Sequence, residues 1–164
     1  MKSLRYIALL LPLLLAACGY GFGEQNHFVL KPEYRKLAIA GVQNPTTLTW
    51  LEPRIRKLLK DEFTNRGEVT WTDNRHEADA WISIRIIKYY RPTTVSGSSD
   101  ETLQSSAIFD FEATVKSATD DSVLWSSGKI SQSWPFYSGE EADADAEVTK
   151  LGIRRLADKM SQGY

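Results

Sequence analysis

The sequence predicts an α+β domain: a single mixed β-sheet of about four strands with two helices packed on one face. Residues 80–91 and 103–115 alternate apolar and polar side chains, which is the pattern of half-buried strands. Residues 51–63 and the segment from about 140 to 161 instead space their apolar side chains as amphipathic helices do. The elements follow in the order β-α-β-β-β-α, for which one sheet covered on one face by both helices is the economical layering.

An export signal precedes this domain. Lys2 and Arg5 give the N-terminus a positive start, and the apolar stretch Ile7–Leu15 follows. A membrane-spanning helix needs about 20 apolar residues, so this stretch is too short to be one. Its length and its flanking charges are those of a signal-peptide core.

Cys18 is the predicted lipidation site. Leu15-Ala16-Ala17-Cys18 has the form of a lipobox, in which small residues precede a cysteine that receives diacylglycerol on its sulfur. Ordinary secretory cleavage after Gly19 is the alternative, because it would put Ala17 and Gly19 at the small-residue positions. Lipidation predicts a signal peptide over residues 1–17 and a membrane anchor at Cys18. Gly19 stands where an Asp would favour the inner membrane, which indicates the periplasmic side of the outer membrane.

The composition limits which binding sites and partners the mature domain can have. Cys18 is the only cysteine, so a disulfide and a thiolate metal site are excluded from the mature domain. Removing Lys2 and Arg5 with the signal takes two positive charges away, from a formal charge of −1 to −3. Nucleic acid is therefore not an expected partner, because neutralising its phosphates needs a clustered positive excess. The length fits a lipidated N-terminus and tether over residues 18–35 and a single domain over residues 36–164.

The first half of the domain is predicted to hold a strand and a helix. Lys36–Val42 is a short apolar run that ends in turn residues and predicts a buried strand. The helix begins between Thr49 and Pro53, because Thr49 and Glu52 have the spacing of a capping box and Pro53 is tolerated only in a first turn. It ends at Asn65-Arg66-Gly67. Its apolar stripe consists of Leu51, Ile55, Leu58, Leu59 and Phe63.

The remaining strands follow in series. Thr93–Glu101 is rich in Ser, Thr and Gly and predicts a loop, and Asp120-Asp121 predicts a turn. The sequence leaves undecided which face of the last strand points inward. The strands are predicted at Val69–Thr72 (short), Ala80–Arg91, Leu103–Val115 and Val123 to about Trp134.

A helix from about Glu140 to Ser161 closes the chain. Its first turns are acidic and its last turns are basic, which complements the helix dipole. Its predicted packing face consists of Ala146, Ile153, Leu156, Ala157 and Met160.

The residues predict no catalytic, cofactor or metal site. His27 and His76 lie far apart in predicted loops. Ser126 and Lys129 match the Ser-x-x-Lys spacing of penicillin-binding enzymes, but residues three apart on a strand point to opposite faces. Asp143 and Asp145 have the spacing of a metal-binding pair, and acidic charge at a helix start explains them as well. We therefore expect a protein that is not an enzyme.

Several segments together resemble the LPS-assembly lipoprotein family, LptE. None of them is specific alone, and their combination in this order over nearly all of the mature chain carries the resemblance. The segments are Cys18-Gly19-Tyr20-Gly21-Phe22 after the lipobox, the strand ending in Asn44-Pro45-Thr46, the helix from Leu51-Glu52-Pro53, Glu77-Ala78-Asp79-Ala80 before Ile82-Ser83-Ile84, Val123-Leu124-Trp125, and the closing helix through Leu156-Ala157.

The resemblance implies a mixed sheet with two helices on one face, residence inside the outer-membrane β-barrel LptD as plug and folding partner, and lipopolysaccharide as ligand. The strand pattern adds basic side chains that would bind lipid phosphates. The alternative for each is a solvated charge that discourages strand-edge pairing. These candidate residues are Arg85, Lys88, Arg91 and Lys116.

A different periplasm-facing lipoprotein module, such as an activator of cell-wall synthases, is the alternative function. Such an activator needs a long disordered tether across the peptidoglycan. The tether of about 17 residues here reaches no more than about 60 Å when fully extended. The lipopolysaccharide translocon is therefore the favoured reading.

Overall fold

The computed structural model describes residues 28–97 and 102–162. The predicted signal peptide, the predicted lipidation site Cys18 and His27 lie outside the described residues. The first described residues are already packed: Phe28 and Leu30 are buried, and the Val29 backbone N–H donates to the carbonyl of Met160. The two ends of the described chain therefore lie side by side.

Six strands and two helices make up the described fold. The strands are β1 (Lys36–Gln43), β2 (Thr70–Trp71), β3 (Ala80–Tyr90), β4 (Thr93–Ser96), β5 (Thr102–Ser117) and β6 (Val123–Phe136). The helices are α1 (Leu51–Arg66) and α2 (Glu141–Gln162), with short 3-10 turns at Pro32–Tyr34 and Arg75–Glu77.

The six strands form one mixed sheet. β1 pairs in parallel with β2 and with β3. β5 pairs antiparallel with the long strands β3 and β6 and with the short strand β4. The parallel β1 and β3 need a crossover, which α1 supplies. The predicted α+β class with both helices on one face is confirmed, with six strands where about four were expected.

Strand β4 occupies the first part of the predicted loop Thr93–Glu101, so that prediction is wrong for Thr93–Ser96. Pro92 ends β3 because it cannot donate to a strand ladder. The chain then continues along the same edge of β5, where Thr93 pairs with Ser105. The free β5 edge supplies hydrogen-bond partners, and Thr and Val side chains tolerate extended backbone. Tertiary pairing thus converts a polar segment into a strand.

Helix α1 buries the predicted stripe but lacks the predicted capping box. Leu51, Ile55, Leu59 and Phe63 are fully buried and Leu58 is partly buried, as predicted. The residue before the helix is Trp50, which has helical backbone angles and no side-chain cap. Its ring packs edge-on against Tyr89 with centroids 5.6 Å apart, so packing rather than Thr49 fixes the start. Pro53 lies in the first turn, as predicted.

Helix α2 packs closely against β5. Its buried residues include four of the five predicted ones, and Ala146 is only partly buried. An added Cβ at Gly152 would lie 3.0 Å from a ring carbon of Phe109 and 3.1 Å from one of Phe111. Those two rings stack with centroids 4.5 Å apart, which forms the flat surface that Gly152 crosses.

Two irregularities decide which side chains face the helices. In β3 the pairing shifts between Ile86 and Lys88, so Ile87 is extra and Tyr89 returns to the helix face. In β6 the pairing shifts near Gly128, whose φ is 60°. Trp125 before it and Ile130 after it are both buried, although an uninterrupted alternation would put them on opposite faces.

Candidate functional site

The sheet face without helices, here called the open face, gathers three of the four predicted basic residues. Arg85 and Lys88 extend from β3, where the register sets them opposite Glu112 and Asp110 of β5. Lys116 extends from β5 opposite Trp81. Since paired residues in a sheet share a face, these cations and carboxylates alternate over one surface.

Arg85 and Lys116 each hold a carboxylate. The Arg85 guanidinium contacts Glu112 Oε1 through Nη2 at 2.7 Å and through Nε at 2.8 Å. These hydrogen bonds from Arg85 to Glu112 raise the pKa of the guanidinium above its ordinary value. Lys116 Nζ lies 3.0 Å from Asp121 Oδ2, in the turn after β5. Exposed pairs of this kind contribute little to stability because solvent and salt screen them, so another anion can replace either carboxylate.

Among the described residues, Lys88 contacts an aromatic ring and not a carboxylate. Its ammonium lies 3.8 Å from the centroid of the Tyr90 ring, in a cation–π contact. In the part of the chain that the structure describes, no carboxylate lies within ion-pair distance of it. It is therefore the open-face cation with the most freedom to meet an added anion.

Sequence reasoning missed Lys129 of β6, which completes the open face. Its ammonium lies 2.8 Å from Asp110 Oδ2, and the Ser131 hydroxyl donates to Asp110 Oδ1 at 2.6 Å. Burial alone would raise the pKa of Asp110, but the hydrogen bonds from Lys129 and Ser131 outweigh it and lower that pKa. Only the shift at Gly128 turns Lys129 toward this face, so regular alternation could not have found it.

Two shallow depressions adjoin Arg85. One, of about 280 Å³, lies over the middle of the open face and is bordered by Arg85, Glu112 and Lys116. The other, of about 410 Å³, lies between the end of β1 and the β3 irregularity and includes Ile87. Gln43 and Arg85 border both depressions, so Arg85 stands between them.

Arg91 does not belong to this surface. Its guanidinium turns toward α2 and donates to both carboxylate oxygens of Asp145, with the Nε–Oδ1 distance 3.0 Å. The hydroxyl of Tyr89 donates to the same carboxylate. The hydrogen bond to Asp145 raises the pKa of Arg91, against a smaller opposing effect of burial. Of the four predicted residues, Arg91 is the one that pairs with a buried carboxylate of helix α2.

The open face therefore presents mixed charge. Its cations are Arg85, Lys88, Lys116 and Lys129, against the carboxylates Glu112, Asp110 and Asp121. Guanidinium and ammonium groups at this spacing can bind phosphate or carboxylate oxygens of an extended polyanionic ligand by exchanging partners.

The structure places the residues whose spacing matches catalytic or metal-binding motifs in other settings. Ser126 and Lys129 lie in β6, which excludes the helix-start geometry of the Ser-x-x-Lys enzymes. Asp145 is held by Tyr89 and Arg91, whereas Asp143 is exposed. Within residues 28–97 and 102–162 no group of three or more His, Cys, Asp or Glu side chains is arranged to hold a metal ion. Nor does any described helix combine the length and apolar character needed to cross a membrane.

Comparison with known families decides the relationship. The family model LptE, described as lipopolysaccharide assembly, matches residues 34–163, which is almost the whole described domain. The chain belongs to the LptE family. LptE proteins are envelope-associated lipoproteins of lipopolysaccharide assembly and not a family of enzymes. The resemblance seen in the sequence is thereby confirmed. A comparison with curated protein sequences gave no match.

Solved structures similar to this LptE-family chain share its fold. Lipoprotein B from Nitrosomonas europaea has 14% identity and a TM-score of 0.58, with 86% of this chain and 90% of that one covered. A variant of the PelC dodecamer from Paraburkholderia phytofirmans has 10% identity and a TM-score of 0.57, covering 79% and 90%. A protein from Xanthomonas campestris has 13% identity and a TM-score of 0.52, covering 81% and 90%.

Proposed function

We propose that this protein is the outer-membrane lipoprotein subunit of a lipopolysaccharide translocon. It is anchored through Cys18 on the periplasmic side, plugs an LptD β-barrel and assists its assembly, and binds lipopolysaccharide for delivery to the cell surface. The observation that carries the proposal is the LptE family match over residues 34–163. The mixed-charge open face and the exposed aromatic residues described below support it.

The lipobox supports the anchored position. Phe28, where packing begins, lies ten residues after Cys18 in the sequence. Ten extended residues span at most about 35 Å, so a lipidated Cys18 keeps the domain beside the membrane surface. The lipid increment on Cys18 is measured by intact-mass analysis of the membrane-extracted protein. A mature form that begins at Tyr20 and carries no lipid would refute the anchor.

Exposed aromatic residues support a large protein partner. Ser105, near the start of β5, pairs with Thr93 of β4 and with Phe136 of β6, so these strand ends meet at one end of the sheet. Several large apolar side chains left exposed at one end of a fold are a feature of interaction surfaces. The exposed large apolar side chains at this end are Ile87, Tyr90, Val95, Trp134 and Tyr137.

This aromatic end also lies far from the anchor. The chain enters beside Met160 near the end of α2, whereas Arg91 contacts Asp145 near its start. A helix of 22 residues is about 33 Å long, so the aromatic end projects that far from the point where the tether enters. A partner that surrounds the domain, such as a barrel lumen, fits this projection better than the anchoring membrane does.

The open face supports lipopolysaccharide as ligand. Its four cations are spread over three adjacent strands, and three of them are matched only by exposed, exchangeable carboxylate pairs or by an aromatic ring. Phosphates of a lipid headgroup bind such groups through charge-assisted hydrogen bonds. The apolar depression beside Ile87 gives adjoining acyl or sugar surface a place to pack.

The test is affinity purification of the full-length lipoprotein at native abundance in mild detergent. One large outer-membrane β-barrel should be recovered at a one-to-one ratio, because an enclosed partner buries far more than the about 800 Å² per side of a standard interface and dissociates slowly. An unrelated tagged lipoprotein from the same membrane is the control. Recovery of the protein alone, or with a peptidoglycan synthase, would reject the translocon and favour the cell-wall alternative.

A further inference from the structure

A second group of cations lies away from the open face, at the outer edge of the sheet. It surrounds a cleft of about 330 Å³ between α1, the edge of β1 and the segment that follows β2, and we call it the basic cleft. None of the open-face residues borders it. Its basic residues are Arg56, Lys57, Lys60 and Arg75, and Asp73 is the one carboxylate among its lining residues.

The cleft has an excess of positive charge. Arg56 and Lys57 have carboxylate partners one turn away along α1, Glu52 and Asp61, but neither partner borders the cleft. Lys60 Nζ lies 2.6 Å from Asp73 Oδ1. The Asp73 side chain is 90% exposed, so it can rotate away and leave the ammonium to an incoming anion.

Arg75 is arranged as an anion receptor. Its guanidinium carbon lies over the Trp81 ring, 4.0 Å from the centroid, and the indole N–H donates to the Arg75 carbonyl at 3.3 Å. A guanidinium held against an aromatic ring keeps forked N–H donors that suit phosphate oxygens. Among the described residues no carboxylate lies within ion-pair distance of Arg75.

The floor of the cleft is strand edge. β2 is short and pairs only with Lys36 and Leu37 of β1, so β1 is uncovered at Ala38 and Ile39, which border the cleft. An uncovered edge strand presents N–H groups that lack a strand partner. The uncovered edge of β1 thus lies beneath the cationic side chains.

We propose that the basic cleft binds a phosphate group, carried by a lipid headgroup or present as free phosphate. Lys60 and Arg75 hold the phosphate oxygens, Asp73 rotates away, and Arg56 and Lys57 supply further positive charge from α1. Each group is of the kind that binds phosphate, and the three sides of the cleft direct them to one volume.

The position of the cleft brings membrane headgroups within reach. Phe63, one helical turn after Lys60, packs against Phe28 with ring centroids 6.5 Å apart, where the chain enters the fold. The tether from Cys18 ends at that point. The headgroup source therefore rests on the proposed anchor, whereas the phosphate chemistry stands without it. A failure here leaves the barrel purification unaffected, so the two proposals are separable.

The experiment uses the full-length protein, labelled with ¹⁵N, in micelles of an uncharged detergent. It is titrated with inorganic phosphate and, separately, transferred to micelles doped with phosphatidylglycerol or with a carboxylate amphiphile at equal charge. The Arg75 Nε–H signal and the amide signals of residues 72–75 are followed. We expect saturable shifts confined to the cleft, with the affinity lowered at least tenfold in Lys60→Gln and Arg75→Gln.

Controls decide between outcomes. Lys150→Gln removes an exposed, ion-paired cation on α2, outside the cleft, and should leave the affinity unchanged. Unaltered amide signals elsewhere establish that the variants fold. Saturation by inorganic phosphate identifies a free phosphate, and saturation by phosphatidylglycerol alone identifies a headgroup; either supports the site. No saturable shift with either probe, an equal response to the carboxylate amphiphile, or an equal loss in Lys150→Gln overturns the proposal.

Discussion

Asp145 is the residue that ties the separate elements together. Its carboxylate accepts hydrogen bonds from Tyr89 and Arg91 at the end of β3, and its carbonyl accepts one from the hydroxyl of Thr149. Arg54 Nε of α1 donates to that same hydroxyl at 2.8 Å. Burial and the bond to Asp145 raise the pKa of Tyr89, so its hydroxyl remains a donor over the physiological range. The Asp145 carboxylate thereby joins the sheet to α2, and the Thr149 hydroxyl extends the network to α1.

Replacement of Asp145 by alanine should destabilise the domain by about 1–3 kcal/mol, because it leaves a half-buried guanidinium and a buried hydroxyl without their acceptor. Urea unfolding measures the change. Asp143→Ala, two residues earlier and exposed, is the matched control and should have little effect. Equal losses in the two variants would mean that the cluster adds nothing beyond the helix-start charge.

Asp110 should give the stability an acid-sensitive component. Its pKa is lowered in the folded state by Lys129 and Ser131, against burial, which acts in the opposite direction. A lowered folded pKa stabilises the fold fully above the unfolded value, about 3.9, and the contribution is lost as the pH falls through the folded value. Asp110→Asn should therefore be less stable than the natural protein at pH 7, and the difference should shrink below about pH 4.

The measurement for Asp110 is urea unfolding between pH 7 and pH 3, with Asp143→Asn as the exposed control. A difference between Asp110→Asn and the natural protein that stayed constant over this range would show that the carboxylate charge does not matter. The hydrogen-bond acceptor alone would then explain the effect.

Helix α2 meets the sheet through a close approach at Gly152 and a contact with the edge of β6. Helix α2 lies on the stacked Phe109 and Phe111 rings at Gly152, where there is no room for a side chain. The free edge of β6 is partly covered by the same helix: Lys159 Nζ donates to the Ser127 carbonyl at 2.9 Å. An uncovered edge strand can pair with the strand of another chain, and this contact occupies one carbonyl of the β6 edge.

Gly152→Val should destabilise the domain by about 1–3 kcal/mol, because three added carbons must displace two buried rings in a close-packed core. Lys150→Val is the control, since it places the same β-branched residue at an exposed position of the same helix. It should cost no more than about 0.5–1 kcal/mol in helix propensity. Thermal unfolding of both variants measures the difference, and equal costs would contradict the close approach at Gly152.

The whole molecule has two unlike faces. One face of the sheet is buried under α1 and α2, and the other carries the alternating charges of the open face. Val29, near the first described residue, lies beside the end of α2, and the exposed aromatic residues lie toward the opposite end of that helix. The proposed anchor, ligand surface and partner surface would therefore occupy distinct regions of a small domain.

Charge reversal on the open face should weaken lipopolysaccharide binding. Arg85→Glu and Lys116→Glu place repulsion where lipid phosphates are expected, and binding should also fall as salt rises, because exposed charges are screened. Arg91→Glu should instead lower the unfolding temperature, since it opposes Asp145 inside the fold. Binding and unfolding are measured on the same preparations. Salt-independent binding that survives the open-face reversals would place recognition elsewhere.

Local patterns were sufficient for most of the fold. Leu51, Ile55, Leu59 and Phe63 recur at helical spacing and are all buried, and the alternation through Phe109 and Phe111 predicts the inward face of β5. Side-chain periodicity depends only on residues close together in the chain, so it can be recognised without a structure. The family is shown as well: the segments that resemble LptE are short local patterns, and the family match over residues 34–163 confirms them.

The sequence by itself thus determined the elements, their order, the family and three of the basic residues on the open face. The tertiary structure alone decided that residues 93–96 form a strand, that Lys129 shares the open face, and that Arg91 turns inward to Asp145. The physical reason is that each of these depends on partners far away in the chain. A single extra residue in β3 or β6 reverses the face of every residue beyond it, and only strand pairing reveals where that residue lies.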